Sequence, residues 1–360
     1  MSLSRLQVTD FRCLQSAQIE LDRRFTLISG ANASGKTSLL EAIYVLGRGR
    51  SFRTRRLEHL IRSGMERFVV FGEVDTAHRR VPVGVEGSRA GVRARIDGDT
   101  PPSLAELALQ LPVQIIDPEV HRLIEEGPAR RRRFLDWGTF HVEQSFVGHW
   151  RRYQQALRQR NAALKKRQPR SVVSVWDTDL VRSGELLSDA RTRYVAALSS
   201  PAKLIGENLL GMELALSYRV GWSKDLTLSE ALCQSWNHDV ESGATQIGPH
   251  RAELAIRLDG AAVKDRVSRG QQKLLAAALL IAQLKLFPDD SAVQPSLLLD
   301  DPAAELDDDR LAGLIHEVAS HAVQLIVTTL HGEFAAFGQP GRRYTVAAGN
   351  VEPADVSRGT

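Results

Sequence analysis

Cysteine is nearly absent from this chain of 360 residues, with only Cys13 and Cys233 present. They lie far apart, and neither stands at ligand spacing from a histidine. A disulfide framework and a zinc module are therefore not expected, and both thiols are expected free in a reducing cytoplasm. Long apolar runs are missing too: the uninterrupted stretch Leu274 to Ala282 is far too short to cross a bilayer. The N-terminus alternates apolar and polar residues from Leu6 and has no signal-peptide core. No heptads are sustained, which excludes a long coiled-coil arm. There is no internal repeat, no recognition helix for reading bases and no Asn-Lys-x-Asp guanine motif. An excess of one charge is also lacking, since 47 Lys and Arg face 43 Asp and Glu for a net +4. With 43% hydrophobic and 25% charged residues, what remains is a globular α/β chain with room for two domains.

Against these absences stands one dense motif. Phe25-Thr26-Leu27-Ile28-Ser29 is short and apolar, as a buried parallel strand is, and it runs into Gly30-Ala31-Asn32-Ala33-Ser34-Gly35-Lys36-Thr37. Leu39, Leu40, Ile43 and Leu46 then mark one face of a helix. Strand, glycine loop and helix make a phosphate cradle, in which backbone N–H groups converge on an anion at a helix N-terminus. Gly30 through Ser38 are the candidate ATP-binding residues. Lys36 is placed to reach the β- and γ-phosphates, and Thr37 to ligate Mg²⁺. Ala33 replaces a frequent glycine, which is tolerable if its φ is negative.

Two further segments answer the first. Leu297-Leu298-Leu299 leads into Asp300 and Asp301, a buried strand ending in two carboxylates. Asp300 is placed to hold Mg²⁺ through water, and Asp301 to orient the attacking water. Ser268-Arg269-Gly270-Gln271 opens a helix whose face carries Leu275, Leu279, Ala282 and Leu286. Read alone, Ser268 is an N-cap; beside the other two segments it is a second anion site. One chain cannot easily aim both sites at the same γ-phosphate, whereas two chains packed head to tail can.

Together the motifs resemble the ABC-type ATPase heads of the SMC class, and most closely the RecF family of bacterial recombination mediators. The resemblance also rests on Leu6 to Arg12, Gly127 to Gly138, Gln159 to Leu164 and Gly248-Pro249-His250-Arg251. It implies an ATP-dependent homodimer that binds double-stranded DNA near single-strand gaps and acts in DNA replication, repair and the SOS response. RecR, and through it RecO, are the implied partners in loading recombinase. By the same resemblance Ser268 contacts the γ-phosphate of the opposite subunit, Arg12 approaches ATP, and Asp307 belongs to a loop coupling the two sites. Asp301 stands where many such ATPases carry glutamate, which implies slow hydrolysis. Either Thr329 or His331 fills the switch position.

From Arg130 to Arg170 there are twelve Lys or Arg against Asp136 and Glu143. Arg130, Arg131, Arg132, Arg133, Arg151, Arg152, Arg158 and Arg160 are the candidates for phosphate contact, although basic runs are often only solvated faces. Trp137 and Phe134 read as core.

Along the chain, strand patterns at Val69 to Val74 and Val81 to Val85 give way at Pro101-Pro102 to a helical pattern from Ser103 to Cys233. Gln168-Pro169-Arg170 separates two antiparallel helices. The expected organisation is a discontinuous ATPase lobe, residues 1–102 and 240–360, split by a mainly helical lobe over 103–239. Residues from Glu352 onward are expected to fray. A transporter ATPase subunit or another P-loop NTPase is the alternative. The former places its signature much closer to the P-loop, and a monomeric kinase leaves Ser268 to Gln271 unused.

Overall fold

The computed structural model describes residues 2–143, 145–263, 267–287, 294–302, 308–319, 323–330 and 338–354. Two compact units form, one from Met1–Val120 with Phe287–Thr360 and the other from His121–Leu286.

The first unit begins with β1 (Ser2–Phe11), β2 (Leu14–Glu20), β3 (Phe25–Ser29), α1 (Lys36–Arg48), β4 (Arg67–Asp75), β5 (Arg80–Ser88), β6 (Gly91–Ile96), α2 (Ala105–Gln110) and β7 (Val113–Ile116). Strands β2-β1-β4-β5-β6 make an antiparallel sheet. The period-2 pattern of β4 puts Phe68, Val70 and Val74 inward. In α1, Leu39, Leu40, Ile43 and Leu46 are fully buried, and Gly49 closes the helix in the left-handed conformation by donating to the Val45 carbonyl.

The second unit contains α3 (Arg122–Glu125), α4 (Pro128–Val142), α5 (Phe146–Lys165), α6 (Arg170–Val173), α7 (Asp177–Leu210), β8 (Leu214–Arg219), α8 (Leu228–Gln234), α9 (Trp236–Ser242), β9 (Glu253–Leu258), β10 (Ala261–Ala262) and α10 (Arg269–Leu284). Helices α5 and α7 run antiparallel: Arg160 meets Asp177, while the earlier Tyr153 lies against the later Gly184. Phe146, Tyr153, Leu157, Leu180 and Leu187 bury together between them. Phe134 and Trp137 of α4 are buried, as a core reading requires.

The chain then re-enters the first unit through β11 (Ser296–Asp300), α11 (Asp308–Ala319), β12 (Gln324–Thr329), β13 (Arg342–Ala347) and β14 (Asn350–Pro353). The sheet order is β14-β13-β3-β12-β11-β7, with every pair parallel except the edge pair β13–β14. All residues of β11 and β12 are buried, as strands covered on both faces must be.

Three expectations meet a different structure. The units divide after residues 120 and 286, not 102 and 239, because β7 pairs with β11 and α10 packs on α7. The helical stretch after Ser103 is interrupted by β7 and β8, segments too short for periodicity to separate from helix. Glu352 is not frayed: it pairs with Thr345 across a hairpin whose turn residues Ala348 and Gly349 have φ of 47° and 83°.

Candidate nucleotide site

The parallel sheet brings the pieces of the site to one edge. Register places Thr328 of β12 opposite both Asp300 of β11 and Ile28 of β3, with Thr329 opposite Ser29. Parallel α/β sheets bind ligands at this carboxyl edge. The loop starts where Gly30 N–H donates to the Thr329 carbonyl at 3.2 Å. Gly30 is required, because a Cβ there would lie 2.3 Å from the Val346 carbonyl oxygen. Gly35, with φ of 119°, turns the chain into α1.

Ala33 has φ of 59°, contrary to the negative value expected. Its methyl is exposed, and Ser34 N–H closes a turn onto the Ala31 carbonyl at 3.3 Å. The loop therefore holds a non-glycine residue in the left-handed region at a cost of about 1–2 kcal/mol. The far side of the loop is braced by the β13–β14 turn, where Gly349 N–H donates to the Ser34 carbonyl at 2.8 Å.

Lys36 is buried and its Nζ donates to the Gly30 and Ala31 carbonyls at 2.6 and 3.0 Å, oxygens that stand in for those of a phosphate. Thr37 Oγ1 lies 2.9 and 3.0 Å from the two Asp300 carboxylate oxygens. Thr328 Oγ1 donates to Asp300 at 2.8 Å and accepts from the Asp301 N–H at 3.0 Å. One hydroxyl thus fixes both carboxylate-bearing residues, and Asp301 is held at φ of 47°.

The fit to a nucleotide and a hard cation rests on two observations. Ser34 Oγ is buried in the loop with no hydrogen-bond partner among the described residues. The groups converging at Thr37 and Asp300 are all oxygens, which suits Mg²⁺ with most of its waters retained. Among the described residues no cluster of three or more His, Cys, Asp or Glu is placed to bind a metal.

Arg12 forms a bidentate pair with Glu41 of α1, at 2.8 Å for both bonds. Glu41 is fully buried and also accepts from Ser51 Oγ, with Arg53 at 3.7 Å. Sequence reasoning passed over Glu41, Thr328 and Gly349. Only Glu41 carried a signal, as a charge flanked by buried leucines and isoleucine.

In the second unit Ser268 caps α10. Its Oγ accepts from the Gln271 N–H at 3.3 Å, and Gln271 Oε1 accepts from the Ser268 N–H at 2.9 Å. Ser268 and Arg269 are exposed, Gly270 and Gln271 half-buried, and Arg269 touches His121 Nε2 at 3.3 Å. Asp307 and His331 lie outside the described residues. Thr329 is buried.

The arginine candidates separate sharply. Arg160 is 1% exposed and bound to Asp177 and Asp239 at 2.8 and 2.7 Å, so it is no DNA contact. Helical spacing from Tyr153 through Ala156 and Leu157 puts it on the inner stripe of α5, which the exposed Arg151, Arg152 and Arg158 avoid. Arg131 is clamped bidentately to Glu253, Arg130 pairs with Glu126, Arg132 donates to the Ala252 carbonyl and Arg133 to the Ala129 carbonyl.

A glycine loop between a parallel strand and a helix, with a strand ending in two aspartates one strand removed in the same sheet, defines a P-loop nucleotide-binding head. Residues 2–347 match the RecF/RecN/SMC N-terminal domain. The DNA replication and repair protein RecF of Thioalkalivibrio sulfidiphilus is 40% identical over 336 residues, covering 92% of this chain and 93% of that one. A solved structure of the recombination mediator protein RecF with ATP in the RecFOR pathway superposes with a TM-score of 0.89 at 26% identity, covering 98% of each chain. The Smc head domain of Pyrococcus furiosus, bound to the C-terminal domain of ScpA, shares the fold with a TM-score of 0.60 at 18% identity, over 98% of this chain and 96% of that one. The chain belongs to the RecF/RecN/SMC N-terminal domain family, and within it to the RecF proteins. Its fold is that of an ABC-type ATPase head of the SMC kind.

Proposed function

We propose that this chain is an ATP-driven DNA-binding switch of replication and recombinational repair, acting in the cytoplasm. ATP brings two copies together head to tail, each supplying Ser268 to the nucleotide held by the other. The dimer engages duplex DNA next to a single-strand gap and slow hydrolysis releases it. RecR and RecO are the proposed partners, by kinship with proteins of the RecFOR pathway.

The observation that carries this reading is the oxygen cluster of Thr37, Asp300 and Thr328 beside the Lys36 ammonium. Lys36 would exchange its two loop carbonyls for phosphate oxygens. Thr37 and, through water, Asp300 would hold Mg²⁺, which neutralises charge on the β- and γ-phosphates. Asp301 would orient the attacking water from a backbone fixed by Thr328. Its side chain is one methylene shorter than glutamate, which favours slow turnover. In the second unit the α10 N-terminus, capped and exposed, offers the N–H donors for a γ-phosphate supplied in trans.

Sedimentation with ATP, with and without a gapped duplex, across salt concentrations tests this. A nucleotide-dependent dimer whose DNA affinity falls steeply with salt is expected. A monomer that turns over ATP at full rate and ignores DNA would sink the proposal.

A further inference from the structure

We infer that the loop of residues 50–56 in the first unit is a contact site for the sugar-phosphate backbone of duplex DNA. It carries Arg50, Arg53, Arg55 and Arg56, four arginines in seven residues, and all four are exposed. The inference rests on the DNA-binding reading above and assigns it a site outside the basic segment of the second unit.

Three observations carry it. First, the side chains of Arg50, Arg55 and Arg56 make no hydrogen bond or ion pair among the described residues. Basic side chains on most of this surface do otherwise: Arg62 pairs with Asp10, Arg67 with Glu86, Arg79 with Asp97 and Arg80 with Glu73 and Asp75. A group of like charges left unneutralised destabilises a fold slightly, and an anionic ligand would relieve that repulsion.

Second, the loop is built rather than loose. Ser51 Oγ accepts from the N–H groups of Arg53 and Thr54 at 2.9 and 3.0 Å, and Thr54 Oγ1 accepts from Arg56 N–H at 3.1 Å. Phe52 packs edge-on against Tyr44 of α1, with ring centroids 5.3 Å apart. Arginines on such a backbone lose less freedom when they meet a phosphate. The guanidinium fork also suits phosphate oxygens, and nothing here is shaped to read base edges.

Third, the loop is fastened to the nucleotide helix. Buried Glu41, one turn beyond Thr37, accepts from Ser51 Oγ, sits 3.7 Å from Arg53 and binds Arg12. A duplex drawn onto the loop would therefore pull on α1, which begins at Lys36. By contrast, most arginine candidates at the start of α4 are tied to carboxylates or carbonyls, and Arg160 is buried.

The test is duplex binding by the full chain with ATP, read by fluorescence anisotropy over a salt series. The triple variant Arg50→Gln, Arg55→Gln, Arg56→Gln should lower affinity for all sequences alike. It should reduce the log–log salt slope by about 0.9 for each phosphate contact removed. Replacing the same three by lysine should restore most of the slope, because charge rather than shape sets it, and this separates contact loss from misfolding. Glutamine variants with the wild-type slope would overturn the inference, the more clearly if Arg152→Gln with Arg158→Gln lowers it. Wild-type protein with no salt-dependent duplex binding would overturn the functional reading itself, and this site with it.

Discussion

Lys36 bonded to two carbonyls of its own loop shows how a P-loop is kept ready. The ammonium is buried, and the Gly30 and Ala31 oxygens satisfy it at hydrogen-bond distance. A compact point charge can trade one oxygen for another with little rearrangement, whereas a planar guanidinium cannot. Lys36→Arg should accordingly leave ATP able to bind and reduce turnover by one to two orders of magnitude or more, about 1.4 kcal/mol per tenfold. Equilibrium nucleotide binding alongside single-turnover hydrolysis would check this, and unchanged hydrolysis would count against the site. At this scale much was legible in the chain. The eight loop residues and the Asp300-Asp301 pair were readable because phosphate binding demands particular residue types at fixed spacing. Thr328 was not, because a threonine at the end of an apolar strand looks like any β-former until the register sets it opposite Asp300.

Helix α5 shows what an element's neighbours add. Its inner stripe carries Tyr153 and Arg160, and both end in hydrogen bonds in the second unit's interior. Tyr153 Oη donates to His250 Nδ1 at 2.6 Å, because His250 Nε2–H is committed to the Thr245 carbonyl at 2.9 Å. Burial pushes the His250 imidazole down from its ordinary 6.5 to about 4, and the cations Arg251 and Arg132 add to the effect. The unfolded chain takes up a proton between those two values that the folded chain refuses. Stability from this group is full above about pH 6.5 and is lost as pH falls toward 4. Denaturant unfolding across that window should show a steeper decline in the wild type than in His250→Gln. Identical slopes would remove His250 from the account. The sequence marked this stretch as helical, but a residue number alone could not tell Arg160 from Arg158. Two positions along a helix rotate a side chain by more than half a turn, from solvent to core.

At the level of the whole molecule, Ser268 is where the proposal of a shared pocket is most exposed. Its hydroxyl caps α10 at an exposed helix end, so a bulky side chain there disturbs only the first turn of its own chain. Ser268→Arg should spare ATP binding to the monomer and abolish ATP-induced dimers in sedimentation. The cap itself is worth about 1 kcal/mol, so the fold should persist. Normal dimers in this variant would remove the role in trans.

The linear chain by itself determined the glycine loop, the capped helix far downstream and, after it, the strand ending in two aspartates. Each is a local pattern whose chemistry needs contiguous residues, and contiguity survives in a sequence. Tertiary structure decided what pairing and packing alone can decide. It drew β7 into the parallel sheet, ordered Glu352 in the closing hairpin, set Gly349 against the loop and buried Arg160. These outcomes turn on which backbone lies one strand spacing away and which helix face meets another, and segments far apart in the chain supply both.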